Sequence, residues 1–263
     1  MNARPSAVRN DEAYGAHPRQ RFDLYLPESE RSACPILVWF HGGGFVRGDK
    51  RQRANIGAWG ASEGFVTVLS NYRLAPECPW PSGAEDVIGV WAWLRENAQR
   101  VGGDPARIVL AGESAGAAHV AGATLLRRFQ PKDWQIAGAA LLSGPYNPPL
   151  EGRARRQFGI ATPDPRNEPY FGTELAGWAA ASVVDHVDVA PFPLWISYAE
   201  RDLVQMQVQA GELFARLVTR HGFDPELHVL SGHDHFSGGA SLGTDDTSVS
   251  RELAAFVRRC AGC

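Results

Sequence analysis

Gly112-Glu113-Ser114-Ala115-Gly116 fits G-x-S-x-G, a pattern whose glycines let a sharp strand-to-helix turn present a serine hydroxyl outward as a nucleophile. The same spacing recurs at Gly239-Ala240-Ser241-Leu242-Gly243, so context must choose between them. Ser114 follows the strand-like run Arg107 to Ala111 and precedes small residues suited to a helix packed tightly on a sheet. Ser241 has neither neighbour and reads as part of a glycine-rich loop.

A serine attacking a carbonyl needs donors already aimed at the oxygen that gains charge, and backbone N–H groups approach closely where side chains are absent. Ile36 to Phe40 runs straight into His41-Gly42-Gly43-Gly44-Phe45, which supplies such a loop directly after a strand. HGGG loops have this role in lipases and esterases. The expected donors are the N–H groups of Gly43, Gly44 and Ala115. A phosphate cradle would need a following Gly-Lys-Ser/Thr, which the sequence lacks.

Serine also needs a histidine base that a carboxylate orients, in the chain order Ser, Asp or Glu, His. The best-placed acid is Asp202, in Ala199-Glu200-Arg201-Asp202 where the run Leu194 to Ala199 ends; Glu200 is its competitor. Asp185 and Asp188 precede that run and read as solvated loop carboxylates. Of the histidines after Asp202, His221 falls in a helix end and His228 inside a strand pattern. His233 and His235 share the loop Gly232-His233-Asp234-His235-Phe236. Residues two apart in an extended segment face one side, so direction does not separate them. Distance beyond the strand favours His235, with Phe236 wedging the loop and His233 supporting the turn.

The elements that must position these groups are short apolar runs: Phe22 to Leu26, Ile36 to Phe40, Phe65 to Ser70, Ile108 to Ala111, Ala137 to Ser143, Leu194 to Ala199 and Leu227 to Leu230. Most lack alternation, as strands buried on both faces of a parallel sheet do. Helical patterns intervene: Ser82 to Arg100 opens on a Ser82/Glu85 capping box and ends at Gly102-Gly103, and Ala210, Leu213, Phe214, Leu217 and Val218 share one face. The alternation implies one α/β domain over residues 1–263, a mostly parallel sheet with helices on both faces. Residues 1–20 read as an irregular arm. Residues 144–193, rich in proline and carrying Arg153, Arg155 and Arg156, read as a small cap insertion over the sheet's rim, with a weak helical pattern around Thr173 to Val184. Phe45, Trp80, Tyr146, Phe171 and Phe192 could line a pocket, although core is the commoner fate of such residues.

With 44% apolar residues, 26 basic against 29 acidic side chains and a net charge of −3, the chain has no positive field to hold a nucleic acid. No stretch approaches a membrane span, and Met1 to Gln20 lacks the apolar core of a signal peptide. A cytoplasmic protein with no membrane partner is expected. Cys260-Ala261-Gly262-Cys263 has C-x-x-C spacing without a second pair or histidine cluster, so free thiols are expected and no metal or cofactor.

These residues resemble the hormone-sensitive-lipase-like carboxylesterases of the α/β-hydrolase superfamily, through His41-Gly42-Gly43-Gly44, Asn71-Tyr72-Arg73-Leu74-Ala75-Pro76-Glu77 followed by Pro81, and Gly112-Glu113-Ser114-Ala115-Gly116. The resemblance covers roughly residues 20–260. The loop Gly232 to Phe236 is also similar to that of kynurenine-formamidase-like enzymes, in which an aromatic or apolar residue follows the catalytic histidine, and this supports His235. With about 20 residues before the first apolar run, the long N-terminal helical cap of the larger esterases is not expected, and any lid is expected to come mainly from residues 144–193. The resemblance implies a serine hydrolase of small carboxylic esters working through an acyl-enzyme. Its rivals are an arylformamidase-like amidase with the same triad and a non-catalytic ligand-binding member of the fold. Oligomeric state is open, a homodimer included.

Overall fold

The computed structural model describes residues 5, 7–28, 33–157, 159 and 165–263, with backbone alone at 154–156 and 175. Among the described residues, eight strands form one sheet: β1 (Ala7–Ala13), β2 (Arg21–Leu26), β3 (Cys34–Phe40), β4 (Val66–Ser70), β5 (Gly103–Glu113), β6 (Gly138–Leu142), β7 (Leu194–Arg201) and β8 (Glu226–Asp234). Their spatial order is β1-β2-β4-β3-β5-β6-β7-β8. The pairs β1/β2 and β2/β4 are antiparallel and the rest parallel. The seven apolar runs thus correspond to β2 through β8.

Side chains of a strand alternate between faces, and the sheet buries both. Ile36, Val38 and Phe40 join one core with Leu110, Val120 and Leu213. Leu37 and Trp39 join a second with Ala111, Trp195 and Phe256. Helix α1 (Ala54–Ser62) packs on β4 and β2, α3 (Ala115–Leu125) on β5 and β6, and α2 (Ser82–Asn97) on α3. Between β6 and β7 lie α4 (Pro148–Gln157), α5 (Asn167–Phe171), α6 (Leu175–Ala180) and α7 (Val183–His186). The chain continues through α8 (Val204–His221), α9 (Ser237–Ala240) and α10 (Ser248–Ala261). No helix among the described residues is long and apolar enough to cross a membrane.

Three expectations change. The stretch read as an irregular arm contains β1, whose side chains are nearly all exposed and so carry no burial pattern to read. The Ser82/Glu85 capping box does not form: Pro81 caps α2, and the Ser82 hydroxyl donates to the Cys78 carbonyl at 2.7 Å. The weak helical pattern in 173–184 corresponds to α6 and α7, but the inserted segment also holds α4 and α5. Arg153 is exposed there, whereas the side chains of Arg155 and Arg156 lie outside the described residues.

A buried cation fastens β1 and β2 to the segment after the glycine loop. Lys50 is 1% exposed, and its Nζ donates to Asp11 at 2.7 Å and Asp23 at 2.5 Å. Its backbone N–H donates to Asn71 Oδ1 at 2.7 Å. Removing one partner of such a pair strands a buried charge. Lys50→Ala is therefore expected to destabilise the fold by about 3–5 kcal/mol in urea titration; a loss below about 1 kcal/mol would mean that the pair contributes as little as a surface bridge.

Candidate active site

The C-terminal ends of parallel strands are where open α/β sheets place their sites. Phe40 ends β3, Glu113 ends β5, Leu142 ends β6 and Asp234 ends β8, so residues 41, 114, 143 and 235 follow directly at one rim. Ser114 forms the turn between β5 and α3 with φ 51° and ψ −121°, a region that costs a residue bearing a side chain. The turn is possible because its flanks are bare: a Cβ on Gly116 would stand 2.1 Å from the Phe40 carbonyl oxygen, and one on Gly112 2.5 Å from the Gly116 backbone. The Ser114 N–H donates to the Leu142 carbonyl at 2.8 Å, fixing the turn to β6.

Asp202 follows β7 and is buried. The Nδ1–H of His235 donates to Asp202 Oδ1 at 2.7 Å, and the opposite nitrogen, Nε2, lies 3.0 Å from Ser114 Oγ. With Nδ1 carrying the proton, Nε2 is left as an acceptor for the serine hydroxyl. Burial opposes the charge on Asp202 most strongly, yet hydrogen bonds from His235, from Ser143 Oγ at 2.5 Å and from the Ala199 N–H at 3.1 Å outweigh it and hold the carboxyl below its ordinary range. Asp202 is thus a carboxylate at neutral pH. The competitor Glu200 is exposed and accepts from the Gly232 N–H at 2.6 Å. Asp185 and Asp188 are exposed, but only Asp188 lies in a loop, where it accepts from the Arg127 N–H at 2.6 Å; Asp185 lies in α7 and accepts from Ser182 Oγ at 2.9 Å.

The two loop histidines point apart. β8 runs to Asp234, whose Oδ1 accepts from the N–H groups of Phe236 and Ser237 at 2.9 Å each, so the chain turns before His235 and the extended-segment geometry ends. His233 faces inward, 3.1 Å from Ser237 Oγ and 3.0 Å from Ser248 Oγ. Phe236 wedges nothing: it is 72% exposed and stands edge-on to the His235 ring. His228 stacks on Trp195, and Ser241 bonds the Gly238 carbonyl at 2.9 Å.

The glycine loop is folded back on itself. A Cβ on Gly43 would stand 1.9 Å from the Arg47 carbonyl oxygen, and Gly44 has φ 59°. His41 is buried, and burial lowers its pKa to about 4, so the ring is neutral at pH 7. Its Nδ1–H donates to the Gly42 carbonyl at 2.6 Å while the ring stacks on Tyr72, whose hydroxyl donates to the His41 carbonyl at 2.9 Å. The Gly42 N–H donates to Glu113 Oε1 at 3.3 Å, an oxygen that also accepts from Arg53 Nε at 2.5 Å. Loop and serine turn are thereby tied together.

Gly43, Gly44, Ser114, Ala115 and His235 all line one cavity of about 100 Å³, with Pro145, Glu151 and Asn167 contributed by the inserted segment. Ala115 opens α3, where first-turn N–H groups have no intrahelical acceptor. Of the five aromatics considered for a pocket, Phe45 lines this cavity and stacks on Tyr170 at 4.4 Å. Tyr146 is wholly buried in the main core and Phe192 packs on Phe223. No sequence signal marks Ser143 or Arg53 as partners of the site. Ser143 could be found only through the strand order, which sets β6 between the strands that carry Ser114 and Asp202. Cys260 is partly buried, and burial pushes its thiol up to about 12, while Cys263 is exposed; both are free thiols.

Comparison with known proteins agrees with this fold. A family model described as alpha/beta hydrolase fold matches residues 37–237. Carboxylesterase NlhH of Mycobacterium tuberculosis is 44% identical over 98 residues, 35% of this chain and 30% of that protein. Lipase 2 of a Moraxella species is 31% identical over 208 residues, 77% of this chain and 44% of the relative. The match thus spans less than half the length of either. Among solved structures, esterase B from Lactobacillus rhamnosis superposes with a TM-score of 0.81 at 16% identity, covering 100% of this chain and 89% of that one. A truncated carbohydrate esterase from gut microbiota gives 0.79 at 19% identity, covering 100% and 99%. With its serine on the strand-to-helix turn after β5 and the family model spanning the parallel sheet, the chain belongs to the α/β-hydrolase fold family.

Proposed function

We propose that the protein is a serine hydrolase cleaving small carboxylic esters through an acyl-enzyme. The observation that carries this reading is the hydrogen-bonded line Asp202–His235–Ser114, opening on a cavity edged by Gly43, Gly44 and Ala115. His235 Nε2 takes the Ser114 proton as Oγ attacks the ester carbonyl. The N–H groups of Gly43, Gly44 and Ala115 receive the oxyanion, and His235 then delivers its proton to the departing alcohol. Water repeats the cycle on the acyl-enzyme. Asp202 holds the imidazole tautomer and stabilises the imidazolium. Every step uses groups of this chain, and the resemblance to carboxylesterases and the relatives' names support the ester as substrate.

The cavity of about 100 Å³, narrowed by Phe45, Leu203 and Met206, suits a short acyl chain. In a series of p-nitrophenyl esters, kcat/KM is expected to peak at acetate or butyrate and to fall through octanoate to palmitate. A maximum at palmitate would refute this and make residues 144–193 the wall of a lipid tunnel. N-formylkynurenine belongs in the same panel, since the triad would also serve an amide carbonyl. Faster turnover of it than of the aryl acetate would reassign the protein as an amidase. Failure of a fluorophosphonate to label Ser114 would leave a non-catalytic ligand-binding protein.

A further inference from the structure

Beside the cavity of Gly44 and Ala115 lies a second, of about 370 Å³, lined by Gly42, Gly48, Gln52, Arg53 and Glu113. Ser114, His235, Gly43, Arg47 and Phe236 border both. The two differ in size and in apolar lining. Arg47 is common to both; the smaller adds Glu151 and Arg166 from the inserted segment to the apolar walls of Phe45, Leu203 and Met206, whereas the larger adds Arg53, Glu113 and the Gln52 amide and has no such apolar walls. That carboxylate is spent: Glu113 is 6% exposed and accepts from Arg53 Nε at 2.5 Å and from the Gly42 N–H. Arg47 is not spent. Among the described residues its exposed side chain has no carboxylate within ion-pair distance and no hydrogen-bond acceptor. Gln52, also on the wall, uses its Oε1 to accept from the Asp49 N–H at 3.3 Å, which leaves its amide NH₂ as a donor.

We propose that the larger cavity is the alcohol subsite and that it selects esters whose alcohol or phenol half carries an anionic group, a carboxylate above all, which Arg47 binds with the Gln52 amide beside it. The inference rests on the esterase reading and adds the charge of the substrate to it. Arginine matches a carboxylate because its planar fork donates two parallel hydrogen bonds. With Arg53 and Glu113 neutralising each other, Arg47 leaves the cavity one positive charge, next to the atoms that must hold the leaving group. The small cavity, edged by Gly44 and Ala115, takes the acyl half. The larger one accommodates the alcohol and gives it a way out to solvent past the exposed Arg47 and Gln52 side chains.

The test compares 3- and 4-acetoxybenzoate with the corresponding acetoxybenzamides. In each, Ser114 Oγ bonds to the acetyl carbonyl carbon, the bond between that carbon and the phenolic oxygen breaks, and the proton passes through His235 to the phenolate oxygen. All four leave the same acetyl-enzyme, so differences in kcat/KM report the alcohol half alone. For at least one positional pair, Arg47→Gln should lower the carboxylate-to-amide ratio of kcat/KM about tenfold or more, mainly through KM. Arg47→Lys should restore part of it, and added salt should reduce the wild-type ratio. If neither pair's ratio changes by more than about twofold in Arg47→Gln, the charge assignment is overturned while the esterase reading stands. If the wild type neither hydrolyses these esters nor takes a fluorophosphonate on Ser114, the esterase reading itself is overturned.

Discussion

Ser114→Ala is expected to lower ester turnover by about four to six orders of magnitude while leaving the fold intact, the residual rate being what oxyanion stabilisation and substrate binding alone supply. The size of the loss follows from what remains. Without Oγ there is no acyl-enzyme, and His235 and Asp202 have nothing to activate but water held by chance at the wrong place. Alanine also keeps the φ of 51° that the turn requires, so the substitution adds little strain beyond what serine already bears. Ser241→Ala is the internal control, because it removes a hydroxyl bonded to the Gly238 carbonyl and should cost about 1 kcal/mol of stability at most. Measured kcat/KM for p-nitrophenyl acetate should be unchanged in that variant. Retention of wild-type turnover by Ser114→Ala would end the proposed mechanism.

Which parts of this molecule a reader of the sequence could see depends on how local their causes are. Strands β2 through β8 were legible because a parallel strand covered on both faces must be apolar along its length, and Cys34–Phe40 is buried at every position. β1 was not, because Ala-Val-Arg-Asn-Asp-Glu-Ala is an exposed edge strand whose pairing rests on β2 and on Lys50, 39 residues beyond Asp11. The Ser82/Glu85 pattern misled for a related reason. A capping hydroxyl caps only where the helix begins, and Pro81 begins it one residue earlier, which hands the Ser82 hydroxyl to Cys78.

The candidate site divides in the same way. Ser114, the glycine loop and Asp202 each sit directly after an apolar run, so strand ends alone locate them. Ser143 and Arg53 matter through neighbours that adjoin in space and not in the chain. Ser143 reaches Asp202 across 59 residues and Arg53 reaches Glu113 across 60. No spacing rule spans such distances, and the strand order that would supply them is itself a product of folding.

His235→Ala should fall to nearly the Ser114→Ala floor, about four to six orders of magnitude below wild type, whereas His233→Ala should lose no more than about tenfold. The two histidines are two residues apart and were separable in the sequence by distance along the loop. The structure separates them by direction as well. His235 bridges Asp202 at 2.7 Å and Ser114 at 3.0 Å, so its removal leaves a serine with no base and a buried carboxylate with one fewer donor. His233 lies between the hydroxyls of Ser237 and Ser248, and its removal costs stability of about 1–3 kcal/mol by leaving those hydroxyls short of a partner. Some of that loss reaches activity, because Ser237 Oγ also accepts from the Asp234 N–H at 2.9 Å, and Asp234 is what turns the chain toward His235. Exogenous imidazole sharpens the comparison: it can occupy the space left in His235→Ala and serve as base, raising turnover, but has no such role in His233→Ala. With circular dichroism establishing that both variants are folded, collapse of His233→Ala alone would transfer the base to that residue, and equal collapse of both would show that the loop, and not one imidazole, carries the dependence.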